Sequence, residues 1–376
     1  MAFGKELIFL AVGDIAPDRE DPFTIFLRVK NYLKKADVVF GQLEAVLSNR
    51  GSPLPQARLP CRAQPLVAMA LKEAGFSVIS FASNHCMDWG REAFFDTIQV
   101  LKEQGLIVIG VGSNIEEARR PAIIEIKGIR LAFLAYNSIL PYGYWAEEDR
   151  PGCVPLRAYT LYEQIEHDQP GTPPRIHTFA HKGDLQAMVK DIEIAKKQAD
   201  FVVLSIHWGI HFVPAVIADY QREIAHVAIE HGADIILGHH PHILKGIEVY
   251  NGKVIFYSLG NFALDLRPTP ELLQSPRHKE IEKLNKDWIP DPEYPSYFMP
   301  RDSRKTIIAK CIFTKESIKK VSFIPAYINP QSQPEILSYE DPRFNEVVEY
   351  LREITKEQGL KAEFCVEKDE VVVKGK

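Results

Sequence analysis

Sulfur is scarce and scattered in this chain. Its five cysteines, Cys61, Cys86, Cys153, Cys311 and Cys365, lie far apart, form no C-x-x-C pair and are odd in number. That pattern excludes a disulfide framework and a thiolate metal cluster, and it fits a reducing compartment. An excess of positive charge is also missing, since 45 Lys and Arg against 50 Asp and Glu leave a formal charge of -5. A nucleic-acid partner would have no basic footprint to meet. Long apolar runs are lacking too. The first, at residues 7–12, stops at Gly13-Asp14, too short for a signal-peptide core and far too short to span a bilayer. No internal repeat or low-complexity tract is visible. The chain is expected to be cytoplasmic, with no membrane span.

What the sequence does have is alternation. Short β-branched runs such as "ELIFLAVGD", "ADVVFGQLE", "FSVISFASNH", "ADFVVLSIHWG" and "ADIILG" alternate with segments of helical spacing at 22–35, 66–74, 91–104, 183–198 and 217–231. Strands separated by helix-length segments predict a layered α/β fold. Two strands turned at Lys127-Gly128 and a hairpin turned at Asn251-Gly252 bring antiparallel strands into it. Two stretches break the rhythm. Residues 145–181 are rich in proline, glycine and charge. Residues 267–304 carry Trp288, Tyr294, Tyr297 and Phe298 beside Arg301 and Arg304. Long excursions of this kind are lids, binding loops or disorder, and the second is expected to cover the functional site and select an anionic substrate. The domain reading is a core at 1–266 with a polar excursion at 145–181, a lid-like insertion at 267–304, and a β-rich segment and helix at 305–376 that complete the domain.

Five apolar runs end in a residue that can coordinate metal: Asp14, Glu44, Asn84-His85, His207, and the pair His240 and His242. In layered α/β folds, sites form where strands end and loops begin. Imidazole with carboxylate oxygen suits Zn, Mn or Fe, and a set without thiolates fits an open catalytic site. Alone, Asp14 could be a cap, Glu44 a surface residue and Asn84 a turn former; together and in order, they point to metal. In an extended segment His240 and His242 share one side and can reach one metal cluster, while His239 faces away as a neighbour of the site. Asn84 and His85 point to opposite sides, so if Asn84 ligates, His85 is free to act on the substrate. Asp88 is expected to orient a histidine. His211, four residues after His207, is expected behind the ligands or against the substrate.

The segments "GDI", "LE", "SNHCMDWG", "IHWG" and "GHHPHILKGIEVYNGKVIFYSLGNF" together resemble the CapA family of poly-γ-glutamate synthesis proteins, a branch of the calcineurin-like metallophosphoesterase superfamily. The resemblance runs in order over about residues 7–262. It implies a four-layer sandwich of two mixed β-sheets flanked by helices, holding one or two divalent ions (Mn, Zn or Fe). Carried over by position, it implies Asp14 and His242 at a first metal, Glu44 bridging, and Asn84, His207 and His240 at a second, with His85 on the substrate side. Ala16 stands where the superfamily usually has histidine, and Glu44 where it usually has aspartate, so a single ion or an unequal pair stays open. The implied function is a metal-dependent hydrolase in which metal-bound hydroxide attacks a phosphoester or a glutamyl-type amide, phosphoesters favoured. Its substrate would be a small anionic compound or a glutamyl-type peptide. The alternative is an accessory, non-catalytic ligand-binding protein of poly-γ-glutamate or capsule biosynthesis.

Overall fold

Leu7–Ala16 (β1) is buried at all but one of its positions, as a strand covered on both faces must be. The computed structural model, which describes residues 6–284 and 288–375, places β1 inside a ten-stranded mixed sheet. Val38–Leu43 (β2), Val78–Ser80 (β3) and Ile107–Ile109 (β4) run parallel to it on one side. The chain then leaves to build a second, six-stranded mixed sheet. Its strands are Ala122–Ile126 (β5), Ile129–Asn137 (β6), Phe201–His207 (β7), Ile235–His239 (β8), Ile247–Tyr250 (β9) and Lys253–Phe256 (β10), in the spatial order β9-β10-β8-β7-β6-β5. On its return, Asn261–Leu264 (β11) pairs parallel with the end of β1, and Lys305–Phe313 (β12) pairs antiparallel with its beginning. Ile318–Ile328 (β13), Pro334–Ile336 (β14), Glu363–Glu367 (β15) and Glu370–Lys374 (β16) extend that side of the first sheet.

The two-residue period of the second sheet sorts its side chains into two cores. Leu131 and Phe133 of β6, with Phe201 and Val203 of β7, face the first sheet. Ring contacts cross the gap between Phe9 and Phe133 at 5.7 Å and between Phe201 and Phe313 at 4.9 Å. The alternate residues, Ala132, Leu134, Val202, Leu204 and Ile206, join a separate core with the buried faces of two helices. Val67–Ala74 (α1) and Gly90–Glu103 (α2) flank the first sheet, and Lys182–Gln198 (α3) and Asp219–Glu230 (α4) flank the second. Pro342–Glu357 (α5) packs on β13 and beside β9. The fold is a four-layer sandwich of two mixed sheets flanked by helices. Truncating a bridging ring such as Phe133 to alanine would cost about 3–5 kcal/mol.

Two sequence expectations change. Residues 22–35 do not form one helix: Asp21 accepts a hydrogen bond from Phe23 N–H at 3.0 Å and starts a 3-10 turn over Pro22–Phe26, and Lys30–Leu33 is a separate single turn. The 145–181 excursion is not without structure, because Ala158–Glu163 pairs antiparallel with Arg175–Ala180. Residues 285–287 of the 267–304 insertion lie outside the described residues. No helix among the described residues is long and apolar enough to cross a membrane.

Candidate metal centre

The carboxyl ends of β1, β2, β7 and β8 meet at one edge of the sandwich. Glycine makes the meeting possible: a Cβ on Gly13 would lie 1.9 Å from Gly260 O. Without one, Asp14 N–H donates to Gly260 O at 3.0 Å. Glu44 follows β2 directly, its N–H donating to Ile15 O at 2.9 Å. His207 closes β7 and His239 closes β8. Asp14, Glu44, His207, His239, His240 and His242 are all buried.

The expectation that residues 240–242 run extended is wrong. His240 has φ 94° and His242 φ 56°, in the left-handed region that costs a non-glycine residue of order 1–3 kcal/mol. Tertiary bonds hold the bend, with His240 N–H donating to Asp14 Oδ2 and Phe212 N–H donating to Pro241 O, each at 3.1 Å. The two rings therefore join different neighbours. Glu44, His207 and His240 form one group whose ligand atoms all lie within 4.8 Å, and Asp14, Glu44 and His242 form another, with Glu44 in both. Asn84 Oδ1 stands 2.6 Å from His207 Nε2. His239 lies between the sheets, its Nδ1 3.4 Å from Asp14 Oδ1 and its ring against Phe40. His211 lays its ring over His240 at 3.9 Å between centroids.

Two carboxylates share this dry space with imidazoles, and burial disfavours the charged form of two of them, His240 and His207. Burial, aided by the neighbouring rings, pushes His240 well below the ordinary histidine value; burial does the same to His207, against the pull of Asp14. Burial and then repulsion from Asp14 push Glu44 up to about 7. Burial would raise Asp14 as well, but His239, His242 and His207 outweigh it and hold its carboxyl below the usual value. His207 Nε2 lies 2.9 Å from Glu44 Oε1, whereas His207 Nδ1, His240 Nδ1 and His239 Nε2 have no hydrogen-bond partner among the described residues. A buried polar atom left unpaired costs about 1–3 kcal/mol, and here several gather around two acidic groups. The donor set fits a divalent cation.

On the other side of Asn84, His85 Nδ1 lies 2.6 Å from Asp88 Oδ2. Asp88 also accepts from Tyr144 Oη–H at 2.9 Å and from Cys61 N–H at 2.8 Å. Cys61 Sγ lies 3.9 Å from His85 Nε2, and Cys61, His85 and Asp88 form a third close group. Burial works against the charged ring, but Cys61 and Asp88 prevail, and the His85 pKa stands well above the ordinary value. Sequence reasoning assigned no role to Cys61, Tyr144 or Asn261. Asn261 Oδ1 lies 2.8 Å from His242 Nδ1, and the "YSLGNF" segment that holds it was the available signal.

The family model for the bacterial capsule synthesis protein PGA_cap matches residues 8–266, which include all six candidate ligands. The chain belongs to the PGA_cap family. It is 31% identical over 244 residues to the capsule biosynthesis protein CapA of Bacillus anthracis, covering 64% of this chain and 54% of that protein. It is also 31% identical over 244 residues to the PGA biosynthesis protein CapA of Bacillus subtilis strain 168, covering 64% of this chain and 57% of that protein. The chain thus spans about half the length of the curated relatives it matches. A solved structure of a hypothetical protein from Thermus thermophilus superposes with a TM-score of 0.46 at 14% identity, over 85% of this chain and 98% of that one.

In this PGA_cap family member the 267–304 insertion adjoins the centre. Tyr297 Oη accepts from Asn261 Nδ2 at 2.8 Å and donates to Ser303 O at 2.6 Å, which ties the insertion to the neighbour of His242. Trp288 packs against Phe212, their tilted rings 4.8 Å apart between centroids, and His278, Trp288 and Met299 line a small pocket with Asn84, His85 and His242. The expected pair of basic groups is reduced to one. Arg304 is committed to Asp291 at 2.6 Å and lies 3.5 Å from the Tyr294 ring centroid, whereas Arg301 is exposed. Two larger clefts, of ≈ 1210 and ≈ 610 Å³, meet at His211 and His240.

Proposed function

We propose that this protein is a metal-dependent hydrolase of anionic substrates, acting on a phosphoester in preference to a glutamyl-type amide. The observation that carries the reading is the pair of ligand groups sharing Glu44, buried at strand ends, with unpaired ring nitrogens beside them and open to two clefts. Asp14 and His242 would hold one ion, Asn84, His207 and His240 a second, with Glu44 between them. When bound, the metal supplies an activated water and stabilises developing negative charge. The chain's own residues do the rest. Asp88 fixes the orientation of His85 and favours its protonated form, so that His85 can give a proton to the leaving group. His211 and Phe212 border the substrate space. The 267–304 insertion acts as a lid, its apolar underside excluding water.

Elemental analysis of purified protein, followed by reconstitution with Mn, Zn or Fe and a screen of phosphoester and amide libraries, tests the reading. One or two ions per chain and activity lost on chelation are expected. Protein that takes up no metal after reconstitution would instead support the accessory, ligand-binding role. The lid has its own test. Replacing residues 267–304 with a short Gly/Ser linker should leave metal content unchanged and raise KM for the preferred substrate far more than for a small generic ester. Equal KM changes for both would remove the lid from the proposal.

A further inference from the structure

The cleft of ≈ 610 Å³ that reaches Asn84 and His85 is walled by residues 55–59 and 139–142, tied together by Gln56 Nε2 donating to Tyr142 O at 2.9 Å. Apart from histidines, its charged lining among the described residues is Asp88 and Arg58. The Asp88 carboxylate is already occupied by His85, Tyr144 and Cys61 N–H. Arg58 is not occupied: its exposed guanidinium has no hydrogen bond or ion pair among the described residues. The same side chain also lines the small pocket under the insertion, again with Asn84 and His85. It therefore borders both spaces that lead to His85. In the larger cleft Arg304 is paired with Asp291, and Lys305 with Asp302 and Glu346; Arg301 is exposed there, but it lines neither space that holds His85.

We propose that Arg58 is a specificity-determining residue that binds an anionic oxygen group, carboxylate or phosphate, on the leaving-group portion of the substrate. The assignment rests on the hydrolase reading, which puts the leaving group beside His85. A guanidinium presents a planar fork of donors that matches either anion in two parallel hydrogen bonds. Left unpaired in the wall of a cleft whose carboxylate, Asp88, is committed, that fork has an incoming anion as its partner. Being exposed, it can engage one without first breaking an internal ion pair.

Calorimetric titration of metal-loaded protein with three non-hydrolysable ligands tests this: phenylphosphonate, 4-carboxyphenylphosphonate and benzene-1,4-diphosphonate. Wild type should bind at least one of the two ligands with a second anionic group about tenfold more tightly than phenylphosphonate, and the larger gain identifies the preferred anion. Arg58→Ala should erase that gain and leave the affinity for phenylphosphonate as it was, whereas Arg58→Lys should keep part of it. Equal affinity for all three ligands in wild type, or a preference that survives Arg58→Ala, would overturn the role of Arg58 and leave the metal centre standing. Failure of wild type to bind phenylphosphonate at all would overturn the hydrolase reading, and the Arg58 assignment with it.

Discussion

Asp37, Asp200 and Asp234 each stand one residue before a strand, β2, β7 and β8; Glu44, His207 and His239 stand at the other ends of the same three strands. At the amino ends every carboxylate has its partners. Asp37 accepts from Ile8 N–H at 2.8 Å and Lys127 Nζ at 2.7 Å. Asp200 accepts from Arg130 N–H at 2.8 Å and Lys315 Nζ at 2.6 Å. Asp234 accepts from Val202 N–H at 2.9 Å, Lys196 Nζ at 2.8 Å and Lys253 Nζ at 2.5 Å. Each aspartate clamps the backbone of a neighbouring strand and is neutralised by half-exposed lysine. At the carboxyl ends no lysine among the described residues reaches Asp14 or Glu44, and buried ring nitrogens of His207, His239 and His240 go unpaired among those residues. Polar groups at one end fix the register of the sheets. At the other they gather the residues of the proposed metal site. Native proteins break the rule of satisfied burial chiefly at functional sites.

The comparison breaks most visibly at the ligand end. His240→Ala and His242→Ala are each expected to weaken metal binding by more than about 100-fold, since even groups behind the ligands contribute 10–100-fold. Elemental analysis after gel filtration reads this, and full metal content in both variants would refute the assignment. His240→Gly adds a sharper form. Glycine tolerates φ 94° without strain, so the metal-free protein should gain about 1 kcal/mol of stability while losing its ion. His85→Ala should act differently, retaining metal while kcat falls by about 10²–10⁴-fold. A His85 variant that loses its metal would place that residue among the ligands.

The clamp end predicts the reverse profile. Asp234→Ala leaves Val202 N–H without its acceptor and two lysines without their carboxylate, and should destabilise the fold by about 2–4 kcal/mol. Metal content per folded molecule should not move. Urea unfolding beside elemental analysis separates the two ends; an Asp234 variant that sheds metal at native stability would contradict the division.

Much of this was legible because β-branched runs announce strands and each run stopped at a residue with a coordinating atom. Local pattern does not distinguish the two kinds of strand end, since Asp234 and His239 both flank the same apolar run. Partners across the fold decide which is clamp and which is site. The bend at His240 and His242 was hidden for the same reason: the sign of φ there is held by Asp14, 226 positions away from His240. Cys61 and Tyr144 reach Asp88 from 27 and 56 positions away, with no motif to join them. The hairpin of Ala158–Glu163 and Arg175–Ala180 escaped because Tyr159, Leu161, Tyr162 and Ile176 are exposed. With neither face buried, its strands lack the apolar-polar alternation that marks a sheet.

Lys245 carries the smallest predicted effect, and it is a lysine that departs from the clamp pattern. It is 1% exposed, and its ammonium donates to Val213 O and, at 3.0 Å, to Val216 O, with no carboxylate in reach among the described residues. Those carbonyls belong to the loop that presents His211 and Phe212. Burial alone pushes its pKa from 10.5 down to about 7. Below about pH 7 the lysine is charged both folded and unfolded, and the cost of burying the ammonium is present in full. Between about 7 and 10.5 the unfolded chain still binds the proton and the native chain has released it, so stability contributed by this site rises with pH. Lys245→Met removes that rise. Unfolding free energies at pH 7 and pH 9 should therefore show wild type gaining on the order of 2 kcal/mol relative to the variant. Parallel pH dependence in the two proteins would mean that the two carbonyls keep the ammonium charged, making Lys245 a fixed strap on the His211 loop rather than a titrating one.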